Sequence, residues 1–215
     1  MSPRITLLAT AVLCLPTSAA AQGFLEEFSY EGLGVAGIGL VIGPIASDRV
    51  TAEVSGGLQL DLGMFAPKVR MMFGLNYFKG QLDQSEIDDF ENSLRRIVMD
   101  PTGGAVIDVG QITWSNLAAT LDLQYLFATG SRYAAHVGAG LGVHIRNGDG
   151  PAIADTFVED ALDTIAASAD LSLGVHVALS NRVHLTTDVR GSLSSELLSA
   201  SARAGFMYRI KTGSN

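Results

Sequence analysis

The chain has 215 residues, 47% of them apolar, 24 glycines and a mean hydropathy of +0.29, yet beyond the first twenty residues no run of 18 apolar residues offers a transmembrane helix. Its 14 Lys and Arg against 22 Asp and Glu give a net charge of −8, which disfavours a nucleic-acid binder that works by neutralising phosphates. The single cysteine, Cys14, excludes a disulfide framework and a cysteine metal site.

Residues 1–21 read as a secretory signal. Arg4 supplies the positive start, residues 7–15 the short apolar stretch, and Ala19, Ala20 and Ala21 the small-residue cleavage site. The apolar run is too short for an anchor helix, and Leu13 before Cys14 does not fit a lipoprotein site. Cleavage after Ala21 is expected to leave 194 residues without cysteine. Residues 22–31 are then a periplasmic N-terminal segment, 32–210 a barrel domain and 211–215 a tail.

A period of two runs through the remainder, the mark of strands whose faces differ. The first strand, the weakest, alternates Ala36, Ile38, Leu40 and Ile42 with Gly37, Gly39 and Val41. The second alternates Val50, Ala52, Val54, Leu58, Leu60, Leu62 and Met64 with Thr51, Glu53, Ser55, Gln59 and Asp61. The third sets Val69, Met71, Phe73, Leu75 and Tyr77 against Lys68, Arg70 and Asn76. In the fourth, Leu117, Ala119, Leu121, Leu123, Tyr125 and Phe127 oppose Ala118, Thr120, Asp122 and Gln124, with a slip of phase near Trp114 that predicts a bulge. Tyr133, Val137, Leu141, Val143 and Ile145 alternate with His136, four small residues, His144 and Arg146. The last three strands lie within residues 167–179, 183–189 and 202–210, with Ser168, Asp170, Ser172, His176, His184, Asp188, Arg190 and Arg203 on their polar faces.

Connections alternate as well. Residues 64–68, 128–131 and 180–182 are short turns; 80–110 and 147–166 are long; 43–49 and 194–200 are intermediate. An even number of antiparallel strands with short turns at one end and longer loops at the other fits an outer-membrane barrel. A soluble lipocalin-like barrel is the competing arrangement. Composition separates the two: a water-facing surface would be rich in Lys and Glu, whereas these polar faces hold Gly, Ser, Thr, His and scattered charge. The apolar faces are free of charge, with Thr187 their main polar interruption, as lipid requires. Aromatics near strand ends form two expected interfacial girdles, Tyr125, Phe127, Tyr133, Phe206 and Tyr208 with Phe65 at the short-turn end, and Tyr77, Phe78 and Trp114 at the long-loop end.

On these residues the chain resembles the small eight-stranded outer-membrane barrels of Gram-negative bacteria, the OmpA/OmpX/OmpW-like group, over about residues 32–210. The ending Phe206-Met207-Tyr208-Arg209-Ile210 is similar to the C-terminal signal that the barrel-assembly machinery reads in that group, although Lys211 to Asn215 follow it. The expected fold is all-β, an eight-stranded antiparallel up-and-down transmembrane β-barrel with short helices in two long extracellular loops. The implied location is the cell outer membrane, and the implied partners are outer-membrane lipid and lipopolysaccharide, with the assembly machinery during biogenesis. A monomer is expected, with no cofactor and no nucleic-acid partner.

Eight strands leave an interior only wide enough for side chains, so a general porin-like channel is not expected. Glu53, Asp61, Lys68, Arg70, Asp122, Arg132, Arg146, Asp170, Asp188, Arg190 and Arg203 are candidates for an ion-pair network in the lumen. If Leu179 faces Val183, Ser172 opposes Arg190 and Gly174 opposes Asp188, with Asp170 diagonal to Arg190 and His176 diagonal to Asp188. All four histidines, His136, His144, His176 and His184, face inward. A set of His176, Asp188 and Ser168 could imitate a lipid A-modifying enzyme, but spacing alone does not establish such geometry, and no spacing points to a metal site.

In the long loops, Ser85-x-x-Asp88 opens a helical pattern with Ile87, Phe90, Leu94 and Ile97, and Thr156-x-x-Glu159 opens another with Phe157, Val158, Ala161, Leu162 and Ile165. The two apolar stripes are expected to form a lid. The same loops hold twelve of the 22 acids, a solvated face or a divalent-ion or lipopolysaccharide-bridging surface. The reading is a structural or interaction protein without catalysis. A narrow channel for small or hydrophobic solutes is the first alternative and a lipid A-modifying enzyme the second.

Overall fold

A computed structural model describes residues 33–51, 53–97, 110–151, 163–195 and 197–210. The expected signal, N-terminal segment and tail lie outside these residues, as does the expected second loop helix apart from Ile165, which belongs to β6 and is exposed on its outer face instead of on a helical stripe. Eight strands are present: β1 (Leu33–Ser47), β2 (Glu53–Ala66), β3 (Val69–Gln81), β4 (Thr113–Thr129), β5 (Tyr133–Asp149), β6 (Thr164–Ala178), β7 (Val183–Ser194) and β8 (Leu198–Arg209). They pair antiparallel in sequence order and β8 returns to β1, so the sheet is a closed barrel. Closure leaves no strand edge, the condition for a sheet in hydrocarbon, where no water can satisfy backbone N–H and C=O groups.

The two faces are inverted relative to a soluble protein. Leu141 is 72% exposed and Leu171 68%, whereas Asp122 is 2% exposed and Arg146 1%. A lipocalin-like barrel would bury the leucines and solvate the charges, so this inversion decides between the two arrangements. Thr187, on the outer face, is satisfied by donating its hydroxyl to the Val175 carbonyl at 3.5 Å. A closed barrel with an apolar exterior and a polar interior is a transmembrane barrel of the outer-membrane type.

All eight strands expected from the period of two are present, but they run further at the long-loop end. The segments 43–49 and 194–200 are not intermediate loops: β1 continues to Ser47, and β7 and β8 are separated only by residues 195–197. The turn after β7 is tied by Ser194, whose amide donates to the Leu197 carbonyl at 3.0 Å. The expected bulge near Trp114 is also absent, because β4 pairs without a shift from Thr113 to Tyr125 on β3 and from Thr113 to Leu126 on β5. What changed there was the chemistry of the inner face. Trp114 points inward, in phase with Asn116, Ala118 and Thr120, all buried.

The reason is strand length. A tilted strand spans the bilayer with about 9–11 residues, and β4 and β5 have 17 each, so their upper ends project beyond the hydrocarbon. There the lumen is capped by Val50, Phe78, Trp114 and Leu197, packed together with Ile45 and Leu82 against them. Val50, Phe78 and Trp114 therefore belong to an inner apolar cap and not to the lipid face or the girdle. The rim is held by the Val50–Leu82 bridge and by the Leu82 amide donating to the Ile112 carbonyl at 3.0 Å. One loop helix, α1 (Gln84–Ile97), follows β3. Its Ile87 is buried, and its Glu86 lies 3.9 Å from Arg49. The packing of its stripe against a second helix falls outside the described residues.

The seam between β1 and β8 depends on glycine. A Cβ on Gly205 would lie 1.9 Å from the Leu40 carbonyl oxygen, and one on Gly43 1.9 Å from that of Ala202. Both obstacles are backbone and cannot swing aside. Gly205→Ala is therefore expected to lower the urea midpoint of the folded barrel well below that of Gly191→Ala, whose added carbon meets nothing within 4 Å. The second variant should stay within about 0.5 kcal/mol of the parent; equal midpoints for the two would refute the tight seam.

Candidate functional site

The lumen is filled in layers beneath the apolar cap. Directly under it, the Arg146 guanidinium lies over the Trp114 ring, 5.4 Å from its centroid, and donates to Ser194 Oγ. A cation held on an aromatic face and a hydroxyl is stabilised at the boundary between cap and polar interior. His144 lies one layer down and bridges Asn116 Oδ1 through Nδ1 and Ser168 Oγ through Nε2, both at 3.0 Å. Ser168 Oγ is also 3.2 Å from Asp170 Oδ2.

The middle layer carries the main charges. Arg190 donates from Nη1 to Asp122 Oδ1 at 3.1 Å and from Nη2 to Asp122 Oδ2, a two-pronged pair across the lumen from β7 to β4. Asp170 Oδ2 approaches the same guanidinium at 4.0 Å. Beside it Arg203 donates to Asp188 Oδ1 from Nε at 3.0 Å and Nη2 at 2.6 Å, and to Asn76 Oδ1 from Nη1 at 2.7 Å. Bidentate guanidinium–carboxylate geometry is the strongest form of such pairing. Ser172 does stand opposite Arg190 and Gly174 opposite Asp188.

The lower layer centres on Arg70. Its Nη2 lies 2.6 Å from Gln124 Oε1 and 2.5 Å from His176 Nε2, while Nη1 is 3.8 Å from Asp61 Oδ2. His136 stacks obliquely on His176, ring centroids 5.0 Å apart.

Several candidates stand elsewhere. Arg132 is exposed in the turn before β5, and Lys68, exposed with φ of 63°, occupies the turn before β3. Neither side chain enters the middle network, because β3 begins only at Val69 and β5 only at Tyr133, one residue after each. Glu53 is half-buried at the start of β2, near the rim. His176 meets Arg70 and not Asp188, which Arg203 engages, so the set of His176, Asp188 and Ser168 is not assembled. Of the girdle aromatics, Tyr77, Tyr125, Phe127, Tyr133, Phe206 and Tyr208 project outward, whereas Trp114 is buried. Sequence reasoning passed over Asn76, Asn116, Gln124 and Ser194, neutral residues that satisfy arginines and a histidine, and the four-residue cap. Adjacent apolar pairs such as Tyr77-Phe78 and Leu197-Leu198 were the available signal, since one member must face inward. Among the described residues no three of His, Cys, Asp or Glu converge as metal ligands would.

Arg190 is held by two carboxylates, and deleting one partner of a buried pair leaves an uncompensated charge. Asp122→Ala is expected to lower the unfolding free energy by roughly 3–5 kcal/mol, read from urea titration in lipid or detergent. The double variant Asp122→Leu/Arg190→Leu should recover a large part of that loss. A double variant as unstable as the sum of the singles would contradict the pairing.

No protein-family model matches the chain, and no curated protein matches it. Among solved structures it is similar to Neisserial surface protein A (TM-score 0.57, 12% identity, covering 83% of this chain and 99% of that one). Others found are the N-terminal β-barrel domain of Pseudomonas aeruginosa OprF (0.47, 11%, 82% and 99%) and the attachment invasion locus protein Ail of Yersinia pestis (0.46, 10%, 82% and 100%). With the closed ladder and the apolar exterior, the chain has the fold of the eight-stranded outer-membrane barrels and is an outer-membrane protein.

Proposed function

We propose that the chain is a structural or interaction protein of the outer membrane whose lumen is plugged and neither conducts nor catalyses. The observation that carries this reading is the crossing of the lumen by Arg190–Asp122 and Arg203–Asp188–Asn76. Beside these pairs, a cavity lined by Asn116, Thr120, His144, Asp170 and Arg190 measures about 40 Å³, room for a few waters at most. The apolar cap above it adds a second barrier. Outer-membrane lipid and lipopolysaccharide surround the belt, and the assembly machinery handles the chain during biogenesis through β8, which ends on Phe206 to Arg209. The barrel acts as a monomer, and its acidic loops present the interaction surface.

The chemistry of the Asn116, His144 and Ser168 relay supports the absence of catalysis. A serine nucleophile needs donors preorganised for the oxyanion it creates. Here Asp170 stands 3.2 Å from Ser168 Oγ, which repels developing negative charge. The surrounding strand amides belong to ladders in which Ser168 pairs with Gly142 and Ser194. In planar bilayers the reconstituted chain is expected to show no discrete conductance steps. A variant carrying Trp114→Ala, Asp122→Ala and Arg190→Ala should show them, and regular openings by the parent chain would overturn the plug.

A further inference from the structure

The three short turns, which lie on the periplasmic side in barrels of this type, each end on a basic residue. Lys68, Arg132 and Arg182 stand immediately before β3, β5 and β7, Arg209 closes β8, and residues 64–68, 128–132 and 180–182 contain no acid. Arg132 and Arg209, both exposed, border a cavity of about 140 Å³ at that end, lined also by Asp61, Arg70, His176 and His184. Among the described residues the cavity therefore gathers three guanidinium groups around one carboxylate. That carboxylate is partly engaged, since Asp61 Oδ1 accepts the Gly63 amide at 2.9 Å and Oδ2 stands 3.8 Å from Arg70. Arg70 is 8% exposed, and its buried Nε has no hydrogen-bond partner among the described residues. A buried charged donor without an acceptor is costly, and an oxyanion in the cavity that Arg70 lines would offset that cost.

The cations come from β3, from the turn before β5 and from the end of β8, which are spread around the ring. A phosphoryl group offers acceptor oxygens in several directions, whereas a carboxylate offers two in one plane. Guanidinium groups also pair with phosphoryl oxygens through two parallel hydrogen bonds. The volume takes one small oxyanion or several waters. We propose that this cavity is a binding site for a phosphoryl oxyanion, Arg70 holding it from within and Arg132 and Arg209 from the rim. Such a group is available from a phospholipid headgroup or from free phosphate. The lining favours the headgroup: Met64 and Tyr133 also border the cavity and are 40% and 53% exposed on the outer face. The mouth thus opens beside the aromatic girdle, at the level where headgroups lie.

The test measures two ligands on the folded mature chain in micelles of a phosphate-free, non-ionic detergent. Inorganic phosphate is titrated by calorimetry, and phosphatidylglycerol is counted as retained adduct by native mass spectrometry, with diacylglycerol as the control that lacks the phosphoryl group. Phosphate binding identifies the free ion as a source and a phosphatidylglycerol adduct identifies the headgroup; either result supports the site. Arg132→Gln/Arg209→Gln should weaken the binding seen by about tenfold or more, because it removes two charged donors. Lys68→Gln/Arg182→Gln removes the same charge from the same end but outside the cavity, and should change binding by less than about twofold. All four residues are exposed, so both variants are expected to fold, which circular dichroism checks; if the first does not, Arg132→Gln and Arg209→Gln singly carry the comparison. Binding of neither ligand would overturn the proposal. So would equal weakening by the two variants, which is the mark of diffuse surface charge, or adducts of diacylglycerol as abundant as those of phosphatidylglycerol.

Discussion

The closing of β8 onto β1 is the constraint on which every other feature depends. In hydrocarbon an open sheet edge would leave a row of unpaired backbone groups at several kcal/mol each, so a sheet of this composition is stable in lipid only as a ring. The ring closes through Gly43 and Gly205, where the strands approach too closely for any side chain. Once it closes, each residue has one of two surroundings, lipid or a narrow lumen, and the period of two sorts the side chains between them.

The lumen then poses its own electrostatic problem. Eight strands enclose too little space for water to solvate isolated charges, and buried charges without partners are unstable. The chain meets this with pairs that reach across the barrel, Arg190 on β7 to Asp122 on β4 and Arg203 on β8 to Asn76 on β3. Such bonds link strands that are not neighbours. A one-residue slip of any strand would turn these charges toward lipid, so the network and the apolar belt enforce the same register. From the long-loop end to the short-turn end the order is apolar cap, polar ring, main ion-pair layer and the layer centred on Arg70.

Much of the fold was legible because alternation is a local property. The opposition of Ser172 and Arg190 followed from one short turn and the identities on either side of it. What sequence could not supply was anything that depends on closure. Asp122 and Arg190 are 68 positions apart and meet only because the ring brings β4 to face β7. The inward turn of Trp114 looked like a slip of phase because strand patterns assume one environment along their length. The long strands leave the bilayer, and above it the inner face becomes the apolar one. Arg132 and Lys68 were misplaced for a related reason: at a turn the alternation ends, and charge there is solvated.

The central claim, a ring closed in lipid around a paired interior, is tested most directly by gel migration of the membrane fraction with and without heating. A closed barrel resists the detergent until boiled, so the unheated chain should remain in the outer-membrane fraction and migrate ahead of the heated one. A water-soluble product whose migration heat does not change would contradict the account.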